Sequence, residues 1–269
     1  MPELPEVETI VRDLRELIVG RKIIGVEFIR KSVWRNRAPK SAKLIGASID
    51  SIGRRGKNIL INLSNSRTLI IHLKMTGRLT FDLPTVILRK HTHLVLDLDG
   101  SHLRFNDIRR FGYLDLVETA KLGEIDYLAV LGPDALEISE DDFIKLIRSR
   151  HRIIKSMLLD QTVISGLGNI YSDESIFLAK IHPKKISSNL SRQKARKLYD
   201  AIREILLKAI KNRGSSVDDY VDARGDKGNH QNHFRVYGRD GEPCFICGHA
   251  IKRIVIGSRS THFCPRCQR

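Results

Sequence analysis

The sequence predicts an α+β protein of several domains, and three observations carry that prediction. One amphipathic helix opens the chain, short β-type runs fill most of its first half, and helical periodicity takes over in the second half ahead of four closely spaced cysteines. At 269 residues there is room for two domains, each able to bury a core.

The leading helix is read from Val7, Ile10, Val11, Leu14, Leu17 and Ile18, which recur at helical spacing until Gly20 stops them. Pro5 suits the first turn, where its missing N–H costs nothing. Pro2 and Glu3 therefore stand just off the positive end of a helix. That field disfavours a protonated amine and favours an ionised carboxylate. Met1 precedes a small residue and would ordinarily be trimmed, leaving Pro2 with a free secondary amine whose reference pKa is about 7.7–8.0. Attack of such an amine on a sugar or aldehyde carbon gives an iminium directly. Glu3 stands beside it as a proton carrier. Many chains open on Met-Pro-Glu and an acidic first turn is ordinary capping, so the stretch takes its meaning from the rest of the chain.

From about 23 to 117 the pattern is β. Runs such as 26–29, 59–63, 69–73, 94–98 and 113–117 are broken by Gly, Asn, Asp and Ser, which predicts a sandwich or a barrel behind the helix. Polar residues stand out at the strand ends. Arg54-Arg55-Gly56-Lys57-Asn58 is a basic turn, with Lys57 as its candidate functional residue. His72 closes a run, and Met75 follows in a loop. His91 lies in the basic patch Arg89-Lys90-His91. Asp107-Ile108-Arg109-Arg110-Phe111-Gly112 sets an aromatic beside two guanidiniums, a loop tip able to enter a duplex. Taken singly, each also reads as a solvated turn or as partial packing.

Residues 120–135, with Gly123, Gly132 and Pro133, read as a linker. Ser139 can cap a helix running through Phe143, Ile144 and Ile147. A second helix covers Ile153, Ile154, Met157 and Leu158, with Lys155 on its other face. Ser165-Gly166-Leu167-Gly168-Asn169-Ile170-Tyr171 then feeds a further helix. A glycine turn at a helix N-terminus offers backbone N–H groups to an anion, and Asn169 at the cap position adds a side-chain donor. The same stretch also reads as a tight helix–helix turn with an Asn cap, and the lack of a surrounding βαβ unit argues against a nucleotide-binding fold. Ser191 starts the cleanest helix, with Ala195, Leu198, Ile202, Ile205, Leu206, Ala209 and Ile210 on its apolar face and Gly214 at its end. Residues 215–233 are polar, glycine-bearing and aperiodic, hence a disordered connection or a mobile lid.

The strongest single motif is Cys244-x2-Cys247 and Cys264-x2-Cys267, with sixteen residues between the pairs. That spacing suits one structural zinc held by four thiolates, with an iron–sulfur cluster or disulfides as alternatives. Four ligands leave no open position, so such a zinc holds structure and does no chemistry. From 235 to 269 there are seven Lys or Arg against two acids, and Lys252, Arg253 and Arg259 lie between the cysteine pairs. Over the whole chain 47 Lys and Arg face 31 Asp and Glu, a net charge of +16 that points to a polyanionic partner, most often nucleic acid. No secretory signal opens the chain, no apolar run approaches 18 residues and no basic amphipathic anchor is present. The expectation is a cytoplasmic, nucleoid-associated protein without a membrane partner.

Taken together, Met-Pro-Glu-Leu-Pro-Glu-Val-Glu-Thr, the Arg-Arg-Gly-Lys turn, His-Leu-x-Met-Thr-Gly, Asp-x-Arg-Arg-Phe-Gly, Gly-Leu-Gly-Asn-Ile-Tyr and Thr-His-Phe-Cys-Pro-x-Cys-Gln resemble formamidopyrimidine-DNA glycosylase, in that family's order and across the whole chain. The resemblance implies an N-terminal β-sandwich domain over 1–119, a linker over 120–135, a helix–two-turn–helix domain with a mobile loop over 136–234, and a zinc finger over 235–269. DNA would lie in the cleft between the domains. It implies a monomeric, bifunctional glycosylase and abasic-site lyase acting on double-stranded DNA with oxidised purines, chiefly 8-oxoguanine and formamidopyrimidines, and cleaving the strand by β,δ-elimination. The catalytic residues would be Pro2 as Schiff-base nucleophile, Glu3 as its acid partner, Lys57 in elimination and Arg259 on the phosphates flanking the lesion. Asn169 matches the phosphate-binding residue of the two-turn motif. His91, Arg109 and His151 match DNA-contacting positions, His151 standing where Lys or Arg is expected. Met75, Arg109 and Phe111 match the trio that fills the gap left by the extruded nucleotide. His72 and Lys155 complete the DNA-contacting candidates, and the loop around 217–230 matches the one that closes over the flipped base. Two rivals share part of this pattern. A non-catalytic zinc-ribbon protein leaves the Pro2 amine unexplained. The endonuclease VIII-like branch is disfavoured by Leu4, Val7 and the Met75/Arg109/Phe111 set.

Overall fold

In a computed structural model, which describes residues 1–36 and 41–269, the chain divides into two compact units. The first comprises Met1–Ala129 together with Asn212–Gln231, and the second Val130–Lys211 together with Asn232–Arg269.

The first unit begins with α1 (Leu4–Ile18). Its buried face carries Val7, Ile10, Val11, Leu14 and Ile18, each contributing about 1.5–3 kcal/mol on full burial. Eight strands follow: β1 (Gly25–Phe28), β2 (Ile49–Arg55), β3 (Asn58–Leu63), β4 (Arg67–His72), β5 (Gly77–Asp82), β6 (Thr92–Asp97), β7 (His102–Asp107) and β8 (Tyr113–Glu118). They form two four-stranded antiparallel sheets, ordered β1-β6-β7-β5 and β2-β3-β4-β8. Ile59 opposes Ile71 and Ile61 opposes Leu69 across β3 and β4. These side chains share one apolar core with Leu79, Leu94, Leu96, Leu103 and Phe105 of the other sheet and with α1. The architecture is a β-sandwich with a leading helix, so of the sandwich and the barrel the sandwich holds. The short α2 (Asp126–Ala129) ends this part of the chain, inside the segment read as a linker.

The second unit is helical, with α3 (Glu140–Arg148), α4 (Ile154–Leu159), α5 (Asn169–Leu178) and α6 (Arg192–Lys211), and it closes with the hairpin β9 (Lys252–Ile256) and β10 (Arg259–Phe263). Ser139 caps α3 by accepting from the Asp142 N–H at 3.2 Å. Phe143, Ile147, Met157, Leu158, Leu198, Ile202 and Leu206 fill the helical core. The cysteine region joins the same unit: Phe177 of α5 packs in a cluster with Val236, Cys244, Ile251 and Cys264.

Two placements differ from the sequence reading. Lys155 does not sit on an outer face of α4; it is fully buried, made tolerable there by an ion pair with Asp173 at 2.6 Å. Residues 212–231 group with the first unit and have a defined path: Tyr220 and Ala223 lie in the sandwich core, and Phe81 of β5 donates its backbone N–H to the Ala223 carbonyl at 2.8 Å.

Candidate active site and metal centre

The start of α1 is built from carboxylates. Glu3 is the N-cap, and it forms a reciprocal capping box with Glu6. The Glu3 N–H donates to Glu6 Oε2 at 2.8 Å, and the Ser215 N–H donates to Glu6 Oε1, also at 2.8 Å. Tyr220 Oη donates to the Glu6 carbonyl at 3.3 Å. Pro2, Glu3 and Glu6 are all buried. One side chain thus fixes the backbone beside Pro2 and docks the 212–231 segment. Burial, then the Glu6 and Asp222 charges, push the Tyr220 phenol well above its ordinary range, so it stays a donor. Gly214 has φ +78°, and a Cβ there would lie 2.9 Å from Glu6 Cγ; only glycine fits that approach. The sequence showed an acidic first turn, but neither the Glu3–Glu6 capping box nor the reach of Glu6 to Ser215, far along the chain, was read from it.

A second cluster forms at one end of the β2-β3-β4-β8 sheet. Gly56 (φ +57°) and Lys57 make a two-residue turn between Arg55 and Asn58, which pair across β2 and β3. Asn58 opposes His72 on β4, and its Oδ1 accepts from Tyr113 Oη at 3.0 Å. Lys57 is only 6 % exposed. Burial, followed by the Lys74, Lys57 and Arg35 charges, lowers His72 to about 3. Its Nδ1 accepts from the Lys74 N–H at 3.0 Å, which leaves Nε2–H as a neutral donor.

A stability prediction arises from His72. Its folded pKa of about 3 lies below the free value of 6.5, so the unfolded chain takes up the proton first. The stability tied to a neutral His72 is present above pH 6.5 and is lost as pH falls toward 3. Melting temperatures of His72→Gln should fall less steeply than those of the parent protein across that window. Parallel curves would show that His72 is not the titrating group.

The Arg109 loop is organised by a buried carboxylate. Asp107 Oδ1 accepts from the Arg109 N–H at 3.2 Å and from the Thr76 hydroxyl, and Oδ2 accepts from the Gly112 N–H at 2.7 Å. Thr76 Oγ1 also accepts from the Arg109 N–H at 3.0 Å, tying the loop that carries Met75 to the loop that carries Arg109 and Phe111. Met75, Arg109 and Phe111 are all exposed, and the Arg109 guanidinium lies 4.9 Å from the Phe111 ring centre. Half-buried His91 contributes its carbonyl, which accepts from the Asp107 N–H at 3.0 Å. The sequence motif contained Asp107, but nothing local identified it as the organiser.

In the second unit Asn169 is the first residue of α5, and Gly168 is the cap. Its Nδ2 donates to the Ser260 carbonyl at 2.9 Å, next to exposed Arg259, while Oδ1 is buried without a hydrogen bond. Beneath it, Lys155 Nζ donates to the Asn169 carbonyl at 2.9 Å and to Ser172 Oγ at 2.7 Å. Asp173 Oδ2 accepts from the His262 N–H of β10 at 2.9 Å. Glu174 accepts from the N–H groups of Arg235, Val236 and Tyr237 at 2.9–3.1 Å. Lys155, Asn169 and the Arg259 hairpin therefore form one hydrogen-bonded block. His151 stands apart on the surface, bonded to Ser188 Oγ at 3.1 Å.

Removing one partner of the buried pair leaves the other's charge buried without its counter-charge, which costs about 3–5 kcal/mol. Asp173→Ala should lower the urea midpoint by that measure, and Lys155→Met added to Asp173→Leu should recover part of it. An Asp173→Ala midpoint equal to that of the parent would contradict the pairing.

The four cysteine sulfurs lie within 4.8 Å of one another, with Cys244–Cys267 at 3.9 Å and Cys247–Cys264 at 3.4 Å. Four sulfurs about 2.3 Å from a zinc ion at tetrahedral angles stand about 3.8 Å apart, so the cluster fits one zinc. The His249 N–H pulls Cys247 down to about 7, while burial and the neighbouring thiols push Cys267 up to about 12. Four sulfurs complete the tetrahedron, and the site is a closed, structural zinc centre.

Three family descriptions match successive parts of the chain: the formamidopyrimidine-DNA glycosylase N-terminal domain over residues 1–114, the formamidopyrimidine-DNA glycosylase H2TH domain over 131–221, and the zinc finger found in FPG and IleRS over 241–269. The formamidopyrimidine-DNA glycosylase of Solibacter usitatus is 47 % identical over 271 residues, covering 100 % of both chains. That of Desulforamulus reducens is 42 % identical, covering 100 % of this chain and 99 % of its own. Among solved structures, Lactococcus lactis Fpg in complex with DNA containing an abasic site matches with a TM-score of 0.92 at 38 % identity, over 99 % of each chain. The wild-type Lactococcus lactis enzyme with DNA containing N7-benzyl-Fapy-dG matches with a TM-score of 0.92 at 39 % identity, over 100 % of each chain.

Proposed function

The chain belongs to the formamidopyrimidine-DNA glycosylase family of DNA repair, and we propose that it excises 8-oxoguanine and formamidopyrimidines from double-stranded DNA and then cleaves the strand at the abasic site. The observation that carries this reading is the buried Pro2–Glu3 pair at the positive end of α1, with the Glu3 N–H held by Glu6. The Lactococcus lactis relatives bound to abasic-site and Fapy-dG DNA support the choice of substrate.

The chemistry starts from a free amine at Pro2 once Met1 is removed. The damaged nucleotide leaves the stack, which exposes its C1′. The Pro2 nitrogen lone pair bonds to C1′, and the glycosidic electron pair departs with the base, which takes up a proton. Opening of the sugar gives an iminium, with Glu3 supplying and taking back protons. The iminium acidifies the C2′ proton. Its loss expels the 3′ phosphate, and a second elimination releases the 5′ phosphate. Every step shifts charge beside phosphates, so donors and cations are required. Lys57 and the neutral Nε2–H of His72 serve this from the first unit, and Arg259, held beside Asn169, serves it from the second. Lys155 contributes through the Asn169 carbonyl, because its own ammonium is buried on Asp173. Met75, Arg109 and Phe111 fill the vacated position in the duplex, an apolar and cationic wedge on a rigid turn. His91 and His151 add contacts to the DNA. The zinc keeps the hairpin that carries Arg259 in place.

We take the enzyme as cytoplasmic and monomeric, as the family resemblance implies. Among the described residues no helix is long and apolar enough to cross a membrane. The test is a comparison of excision rates on duplexes containing 8-oxoguanine and thymine glycol. Faster release of 8-oxoguanine is expected; preference for thymine glycol would assign the chain to the pyrimidine-excising branch.

A further inference from the structure

We infer that Arg213, outside the machinery described above, is a positioning residue that clasps the 212–231 segment to α1 and so keeps Glu6 on the Glu3 backbone. Its guanidinium reaches two carboxylates at once. Nε donates to Asp222 Oδ2 at 2.8 Å, and Nη2 donates to Asp222 Oδ2 at 2.5 Å and to Asp13 Oδ2 at 2.6 Å. Asp222 is fully buried, and Asp13 on α1 is 4 % exposed. The other oxygen of Asp222 accepts from the Arg224 and Asp226 N–H groups at 2.9 and 3.0 Å, folding the turn that Arg213 grips. Arg224 adds a bond to Glu16 of α1 at 2.9 Å.

The backbone makes the choice of arginine informative. Arg213 has φ +61°, the left-handed region that side chains rarely enter. Glycine would sit there without strain. The arginine therefore stands against a local preference, and the compensation visible in the structure is the double carboxylate contact. Asp13 follows Glu6 by seven residues, two helical turns, and so lies on the same face of α1. That face holds the 212–231 segment at two points. Near the start of the helix, Glu6 takes the Ser215 N–H and its carbonyl takes the Tyr220 hydroxyl; two turns on, Asp13 takes Arg213. Since Glu6 Oε2 holds the Glu3 N–H, loosening the far clasp frees the near one and with it the geometry of the nucleophile's neighbour.

The inference rests on the proposed glycosylase reading. The variant that tests it is Arg213→Gly, which relieves the backbone while removing the clasp. Its kcat on an 8-oxoguanine duplex should fall about three- to thirtyfold, the span expected of a coupling between sites. KM should stay within about twofold, because the phosphate contacts assigned above lie outside the 212–231 segment, and Arg213→Lys should recover part of the loss. Asp13→Asn added to Arg213→Gly should cost little more, the two acting as one unit. Hydrogen exchange at the Ser215 amide should accelerate in Arg213→Gly, and this readout holds whether or not the parent protein releases 8-oxoguanine. Unchanged kcat with unchanged Ser215 exchange overturns the inference, as does a change in KM alone. A parent protein that releases no oxidised purine, with Ser215 exchange still accelerated in the variant, would instead contradict the glycosylase reading and leave the clasp standing.

Discussion

A form of the protein that keeps a non-removable extension in front of Pro2 should release 8-oxoguanine at least about 10²–10⁴-fold more slowly, the contribution expected of one positioned reacting group. The cause is the amide. With a residue attached, the Pro2 nitrogen gives its lone pair to the preceding carbonyl and cannot bond to C1′. Pro2 and Glu3 are buried at the end of α1, so an extension also has little room beside the sugar. DNA affinity should change far less, because the phosphate contacts assigned to Lys57, His72, Asn169 and Arg259 do not involve the amine. Equal losses of affinity and rate would point to steric exclusion of DNA. Pro2→Gly keeps an amine at the same place and should bind DNA while releasing base slowly.

Cys264→Ser should release the zinc and weaken binding to lesion DNA at least about tenfold, the worth of one charged hydrogen bond to phosphate. Cys264 is fully buried and packs with Phe177, Val236, Cys244 and Ile251. A four-thiolate zinc contributes on the order of 10 kcal/mol to the fold it closes. Its loss leaves β10 tied to α5 through Asp173 and Asn169, and the turn beside Arg259 loses its brace. The measurement is zinc content by metal analysis together with equilibrium binding at fixed salt, because phosphate contacts weaken steeply as salt rises. Zinc lost with affinity intact would show that the hairpin needs no metal to hold Arg259.

Much of the architecture was legible because local chemistry dictated it. The apolar stripe of α1, the Ser139 cap and the long face of α6 emerge as helices close to where periodicity placed them. The cysteine spacing became a cluster of four sulfurs. Strands β2, β5 and β7 were not singled out. β2 is an edge strand bearing Gly53 and two arginines, and β7 buries Arg104, Asn106 and Asp107, so neither shows clean apolar alternation. The candidate site was legible as residue types and motifs, and less so as connections. Glu6 to Ser215, Asp173 to His262 and Asn169 to Ser260 each join positions far apart in the chain. No period or cap announces such pairs. The same holds for 212–231: its polar, aperiodic composition suggested mobility, but Tyr220 and Ala223 anchor it in the core and Asp222 orders its turn.

The central claim is that the nitrogen of Pro2 becomes bonded to deoxyribose. Incubating the purified protein with a duplex carrying a single 8-oxoguanine, reducing with borohydride, and mapping the adduct by mass spectrometry tests it most directly. The expected product is one peptide that begins at Pro2, lacks Met1 and carries the sugar remnant on its terminal nitrogen. An adduct on any lysine, or one formed while Met1 is still attached, would contradict it.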